Sequence, residues 1–230
     1  MAMPIERLIP NIDRRLSTWV SIQERLKEGP RREQKPTVTI SRQFGSEGFP
    51  LAEVLKDHLE KKTKDTWTIF DKALIERVSK EANLSKHLLT NLGDASKAFD
   101  TLATIVPGMR THGEVYQILA RHIIRIAMDG NAIIVGRGGA VLTQHLPHCF
   151  HFRVEATLED RIHSIHKRLV IPVDEAKKLV LETQKQSEQF IENFLNCSIS
   201  DWRYYHAIFN TSKCKVSNIA HSIMELIFGT

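Results

Sequence analysis

A chain of 230 residues with 42% hydrophobic and 26% charged residues is long enough for one large domain, and too apolar to be disordered over most of its length. No run approaches the roughly 18 apolar residues of a membrane span, and the first residues, with Glu6 and Asp13 among scattered arginines, lack the apolar core of a secretion signal, so a cytoplasmic location is expected. The net charge of +5 suits a pocket for anionic nucleotides as well as it suits nucleic acid, but the basic pairs are isolated and not interleaved with aromatics, so direct nucleic-acid binding is not expected.

Residues 1–35 read as an extension, with a helix expected from about Ile12 to Lys27 and a break at Gly29-Pro30-Arg31-Arg32. It is either an arm that packs on the body or on a second copy of the chain, or a surface helix with no further role. The main domain is expected to span residues 36–230. Its first strand alternates Val38 and Ile40 with Thr37, Thr39 and Ser41, and the following helix sets Leu51, Val54, Leu55 and Leu59 on one face. Between them lies Gly45-Ser46-Glu47-Gly48. A turn there aims backbone N–H groups and the positive end of the helix dipole into one hollow, the layout of a phosphate-binding loop. The full pattern G-x-x-x-x-G-K-[ST] is not met: Arg42 stands at its first glycine, Gly48 at its lysine and Phe49 at its Ser or Thr. The bland alternative is a turn that uses glycine for positive φ and binds nothing.

Further along, Trp67–Phe70 reads as a second strand ending at Asp71, which could cap the next helix or orient a ligand. Helical periodicity follows from Lys72 to Ala82 and, with breaks, from Ser85 to about Gly113. Glu114 to Met128 is a strong helix, stopped at Asp129-Gly130. Ala132–Gly136 suits a strand covered on both faces, and Gly136-Arg137-Gly138-Gly139 closes it ahead of a short helix to Leu146. Cys149–Val154 is the next strand, Leu158–Leu169 and Asp174–Leu195 are helices, Tyr204–Phe209 is the last strand and Val216–Ile227 the last helix. About five strands separated by helices imply a parallel sheet with helices on both faces, and ligands at the carboxyl ends of the strands.

Three cysteines, odd in number and irregularly spaced, argue for reduced thiols, and Cys149 reads as strand packing. His145, His148 and His151 recur every three residues, but they span Pro147 into a strand and should diverge, while His163 and His166 lack a third ligand, so zinc is not expected. Trp202, Tyr204 and Tyr205 read as packing around the last strand.

With these residues in view the chain resembles the cytidylate kinase-like family, a branch of the P-loop nucleoside monophosphate kinases. The residues that carry the likeness are Ile40-Ser-Arg-Gln-Phe-Gly-Ser-Glu-Gly48, Phe70-Asp-Lys-Ala-Leu-Ile75, Ile133-Ile-Val-Gly-Arg-Gly138, Arg161 followed by Arg168, and Asn210-Thr211. The resemblance implies a three-layer α/β P-loop kinase-like fold with a helical lid over about 158–200. It also implies ATP and Mg²⁺, and a nucleoside monophosphate acceptor. On that reading the amides from Phe44 through Gly45, Ser46, Glu47 and Gly48 to Phe49 cradle the donor phosphates, Arg42 adds charge and Ser46 meets an oxygen or Mg²⁺. Asn210 and Thr211 complete the cofactor side, Asp71, Arg137 and Gly138 meet the acceptor, and Arg161 and Arg168 close over the phosphates. Phosphoryl transfer needs such positioning and positive charge more than covalent work.

The branch has no loop lysine, so its absence here fits the likeness. The departures lie elsewhere. Glu47 stands for a glycine, Phe49-Pro50 for Arg-Glu, and the lid has Gln184, Lys185 and Ser187 where an Asp, a basic residue and an Arg are expected. Transfer to CMP or a related pyrimidine nucleotide is the leading expectation. The alternatives are a weak or inactive relative that senses nucleotides, and a kinase of another small hydroxyl-bearing substrate.

Overall fold

The computed structural model describes residues 35–75 and 112–229, so the expected N-terminal arm and most of the expected helices between 72 and 111 lie outside it. Strand β1 (Thr37–Arg42) is the centre of a five-stranded sheet with β2 (Thr68–Phe70), β3 (Ala132–Val135), β4 (Cys149–Glu155) and β5 (Ala207–Asn210). Every neighbouring pair is parallel, in the order β2-β3-β1-β4-β5. Parallel strands must be joined by crossovers. Those described contain helices α1 (Gly48–Thr63), α2 (His112–Asp129), α3 (Gly139–Leu142), α4 (Leu158–Leu169) and α5 (Val173–Leu195), and α6 (Val216–Phe228) closes the chain. Among the described residues no helix is long and apolar enough to cross a membrane.

Two layers of helices cover the sheet. Leu51, Leu55 and Leu59 of α1 pack with Ile219 and Ile223 of α6 on Val38, Ile40, Ile133, Val135, Phe152 and Val154. On the other face, Leu119, Ile123 and Ile126 of α2 meet Ile134, Cys149 and, from the end of α5, Phe190 and Ile191. The alternation in β1 therefore separates an apolar face from a polar one, not core from solvent. Thr37 and Thr39 are buried, and both hydroxyls are satisfied, Thr37 donating to Ala127 O at 3.0 Å and Thr39 pairing with His151 Nδ1 at 2.9 Å. The three histidines diverge: His145 is exposed, His148 Nε2 meets Ala127 O at 3.0 Å and His151 faces β1. Burial pushes the Cys149 thiol up to about 11, as for a packing residue.

Two boundaries differ from the sequence expectation by more than two residues. The last strand begins at Ala207, because Asp201 accepts from Arg203 N–H and caps a 3₁₀ turn over Trp202–Tyr204. The short helix after β3 stops at Leu142, where Thr143 takes up Gly139 O with both its N–H and its hydroxyl.

Helices α4 and α5 form a hairpin that leaves the sheet. Thr157 caps α4 by accepting from Asp160 N–H, and Val170, at φ 56, ends it. The hairpin has its own small core of Ile165, Leu169, Ala176, Leu179 and Val180, into which Phe44 packs from the loop after β1. Its return to the sheet is fixed by Arg153, a strand guanidinium only 1% exposed. Arg153 donates to Glu155 Oε1 at 2.6 Å and to Ile199 O at 3.0 Å, so its buried charge is paired and hydrogen-bonded.

His151 makes the fold acid-sensitive. Burial, then the neighbouring His206, push its pKa from 6.5 down to about 4. The unfolded chain therefore gains a proton near pH 6.5 while the folded chain resists until about pH 4. Stability from this group is complete above pH 6.5 and is lost as pH falls from 6.5 to 4, by about 3 kcal/mol. Denaturant unfolding at pH 7 and pH 4.5 should show a smaller acid loss for His151→Asn than for the parent chain.

Candidate functional site

The carboxyl ends of β1, β2 and β3 open on one cavity of about 210 Å³. The loop after β1 is rooted by Gln43, whose N–H donates to Val154 O while its side-chain carbonyl accepts from Ala156 N–H at 3.0 Å. Gly45 takes φ +91, and a side chain there would meet the backbone carbonyl of Arg161 at 2.8 Å, so the loop and α4 lie backbone against backbone. Glu47 precedes α1 at φ 58. Such a left-handed turn costs a non-glycine residue about 1 kcal/mol and turns successive amides toward the helix start.

The loop leaves donors unused. Among the described residues the N–H groups of Gly45, Glu47 and Gly48 make no hydrogen bond, whereas Ser46 N–H donates to Gln43 O. The first turn of α1 holds no acidic residue, and Lys61 and Lys62 sit in its last turn, so the dipole is left positive at the loop. Glu47 is the one acid at this end, and its carboxylate is turned aside: Oε1 accepts from the Ser164 hydroxyl of α4. A carboxylate at this place would repel a phosphate, and that like-charge conflict is relieved in this geometry. Phe44 N–H is also occupied from the hairpin, donating to Gln184 Oε1 at 2.8 Å.

Arg42 forms the floor. Its stem passes over Gly48 and its guanidinium over Gly136, where added side chains would approach it to 2.9 Å in both cases. It makes no hydrogen bond or ion pair among the described residues. Burial first, then Arg137, push its pKa down to about 10, against the opposite pull of Asp71. Arg137 sits at φ 54 between Gly136 and Gly138, with its guanidinium 4.8 Å from the Phe190 ring centre. Asp71 is 3% exposed, and its Oδ1 caps the helical turn at 72–75 by accepting from Leu74 N–H at 2.9 Å, so it both caps and lines the cavity.

The cavity thus brings together Arg42, the loop from Phe44 to Phe49, Asp71, Arg137 and Arg168. Other expected site residues face elsewhere. Arg161 lies outside the lining, behind Gly45, with Nε and Nη1 buried and without hydrogen-bond partners. Burial lowers its pKa, while Glu188 and Glu155 raise it. Gly138 is packed under Leu195 and Ile191. Thr211 donates to Glu155 O at 3.1 Å, and Asn210 Oδ1 accepts from Ser212 N–H, both away from the cavity. Ser46 lines the cavity, but its hydroxyl turns to the base of the loop, at 2.7 Å from Gln43 O and 3.1 Å from Val154 O. Lys72, which the sequence reading left without a role, lines the cavity, and its signal was a cation placed directly after a strand end. From α5 the lining takes Thr183, Gln186 and Ser187, then Phe190 and Ile191. That is a neutral strip followed by an apolar one.

The arrangement suits an oxygen-rich anion, since the free loop amides and the Arg42 guanidinium both lack acceptors among the described residues. The family model described as the cytidylate kinase-like family matches residues 37–213. An uncharacterised protein from Eubacterium ventriosum superposes with a TM-score of 0.65 at 16% identity, covering 86% of this chain and 100% of that one. TT1252 from Thermus thermophilus superposes with a TM-score of 0.50 at 14% identity, covering 86% and 100%. A shikimate kinase from Bacteroides thetaiotaomicron gives 0.48 at 10% identity, covering 84% and 98%. At these identities the first two show a shared fold and nothing further. No curated protein matches the chain.

Proposed function

We infer, for a chain that belongs to the cytidylate kinase-like family, ATP-dependent phosphoryl transfer to a nucleoside monophosphate, CMP or a related pyrimidine nucleotide. The observation that carries this reading is the convergence of three unpaired loop amides and the unpaired Arg42 guanidinium on one cavity. In-line transfer between two phosphates needs both held close while positive charge surrounds the moving group. The loop from Phe44 to Phe49 holds the donor phosphates. Arg42, between the loop and the end of β3, spans donor and acceptor. Arg137 takes the acceptor phosphate, and Arg168 adds charge from the hairpin. Asn210 and Thr211, beside the loop but outside the cavity, are left for the outer end of the donor. Asp71, a carboxylate on the cavity wall, fits Mg²⁺ held mainly by phosphate oxygens. Bound there, Mg²⁺ would supply further positive charge to the phosphates.

Calorimetric titration with ATP–Mg²⁺ and with each nucleoside monophosphate, followed by coupled ADP release on each binder, tests the reading. Turnover with a pyrimidine monophosphate is expected, and binding of both partners without turnover would overturn it in favour of a nucleotide sensor. Arg137→Ala should weaken the acceptor about tenfold or more, as loss of a charged hydrogen bond does, and leave ATP binding within about twofold. Equal loss of both would remove Arg137 from the acceptor side.

A further inference from the structure

The hairpin reaches the phosphate loop through the residues in which this chain departs from its family's pattern. Gln184 Oε1 accepts from Phe44 N–H, while its Nε2 donates to Glu188 Oε1 at 2.7 Å. A carboxylate can only accept, so Glu188 fixes the amide with its oxygen toward the loop. Glu47, at the other end of the loop, is bound by Ser164. Between these two contacts the Phe44 ring is packed in the hairpin's own core. Residues of both hairpin helices line the cavity of about 210 Å³.

We propose that Gln184, with the Glu47–Ser164 pair, is a latch that holds the α4–α5 hairpin down on the loop until a polyphosphate takes Phe44 N–H from the Gln184 oxygen. The proposal rests on the reading of the loop as the donor site. An amide oxygen and a phosphate oxygen cannot both occupy that N–H. The polyphosphate therefore meets a chain whose binding-competent state is only a fraction of the population, and its apparent affinity falls by that fraction. Glu47 acts in the same direction. While it is held by Ser164 it anchors α4 to the start of α1, and once α4 moves it must find solvent or a cation.

The test uses the full chain and inorganic tripolyphosphate, which carries the donor's charge without a base. Amide exchange at Phe44 without ligand should be slow in the parent chain and at least about tenfold faster in Gln184→Ala, since the group that protects the amide is gone. Tripolyphosphate should bind Gln184→Ala about three- to tenfold more tightly than the parent chain. Glu188→Ala, which frees the amide to rotate, should shift both readouts the same way by less. Unchanged exchange at Phe44, or equal or weaker binding by Gln184→Ala, overturns the latch while leaving the donor site standing. Binding to neither protein overturns the donor site and the latch together. Tighter tripolyphosphate binding with no nucleotide turnover upholds the latch and overturns only the kinase reading.

Discussion

Arg42→Met is expected to lower phosphoryl transfer by at least about a hundredfold and, at the same time, to raise the stability of the fold. The two effects have one cause. The guanidinium is wedged over Gly48 and Gly136, has no hydrogen bond or ion pair among the described residues, and has its pKa pushed down to about 10. A cation whose folded pKa lies below its ordinary value weakens the fold at every pH under about 10, so at neutral pH the penalty is complete and constant. Methionine keeps the apolar stem and removes the charge, a gain of about 1–3 kcal/mol and roughly 2–6 °C in melting temperature. Coupled ADP release and thermal unfolding read the two effects separately. If Arg42→Met lost stability together with activity, Arg42 would be a packing residue and the cavity would lose its strongest claim to an anion.

Gly45→Ala should produce the largest structural damage of any single methyl added at the loop, about 2–3 kcal/mol of stability. At φ +91 an alanine is strained wherever it points. Here it also points at the backbone carbonyl of Arg161, 2.8 Å away, which cannot rotate aside as a side chain can. Helix α4 must retreat, and Phe44 leaves the hairpin's core with it. Gly136→Ala, at φ +81, carries the same kind of strain but meets only the far end of the Arg42 side chain, not backbone, so it should lose less stability. The difference between the two variants in denaturant unfolding measures how firmly the hairpin is docked. Equal losses would mean that α4 does not bear on the loop.

The sheet was legible because its strands are short runs carrying Val, Ile and Phe, each followed by a glycine, an acid or a turn, and because helical periods separate them. Parallel pairing followed from that alternation, and the cavity from the rule that ligands gather where strands end. What was not legible depends on partners far away in the chain. Local charge reasoning makes Glu47 repel a phosphate, and only Ser164, 117 residues on, turns its carboxylate aside. Arg161 and Arg168 both belong on one side of a helix by spacing, but the tilt of α4 on Gly45 buries the first behind the loop and leaves the second at the cavity. Arg153 lies in a run read simply as a strand, and its role depends on the carbonyl of Ile199, 46 residues later. The early start expected for β5 came from aromatic residues whose strand propensity Asp201 overrides by capping a turn.

The strip that α5 turns to the cavity, Thr183, Gln186 and Ser187, carries no charge, and beside its two hydrogen bonds the hairpin holds the loop by packing one partly buried phenyl ring among aliphatic side chains. A joint of that composition responds to different conditions than an arginine-studded one. Ions in solution have little to screen there, whereas apolar contact weakens as water cools. The hairpin's docking should therefore carry a measurable heat-capacity change and hardly any dependence on ionic strength. Low temperature, not salt, is the condition that loosens it.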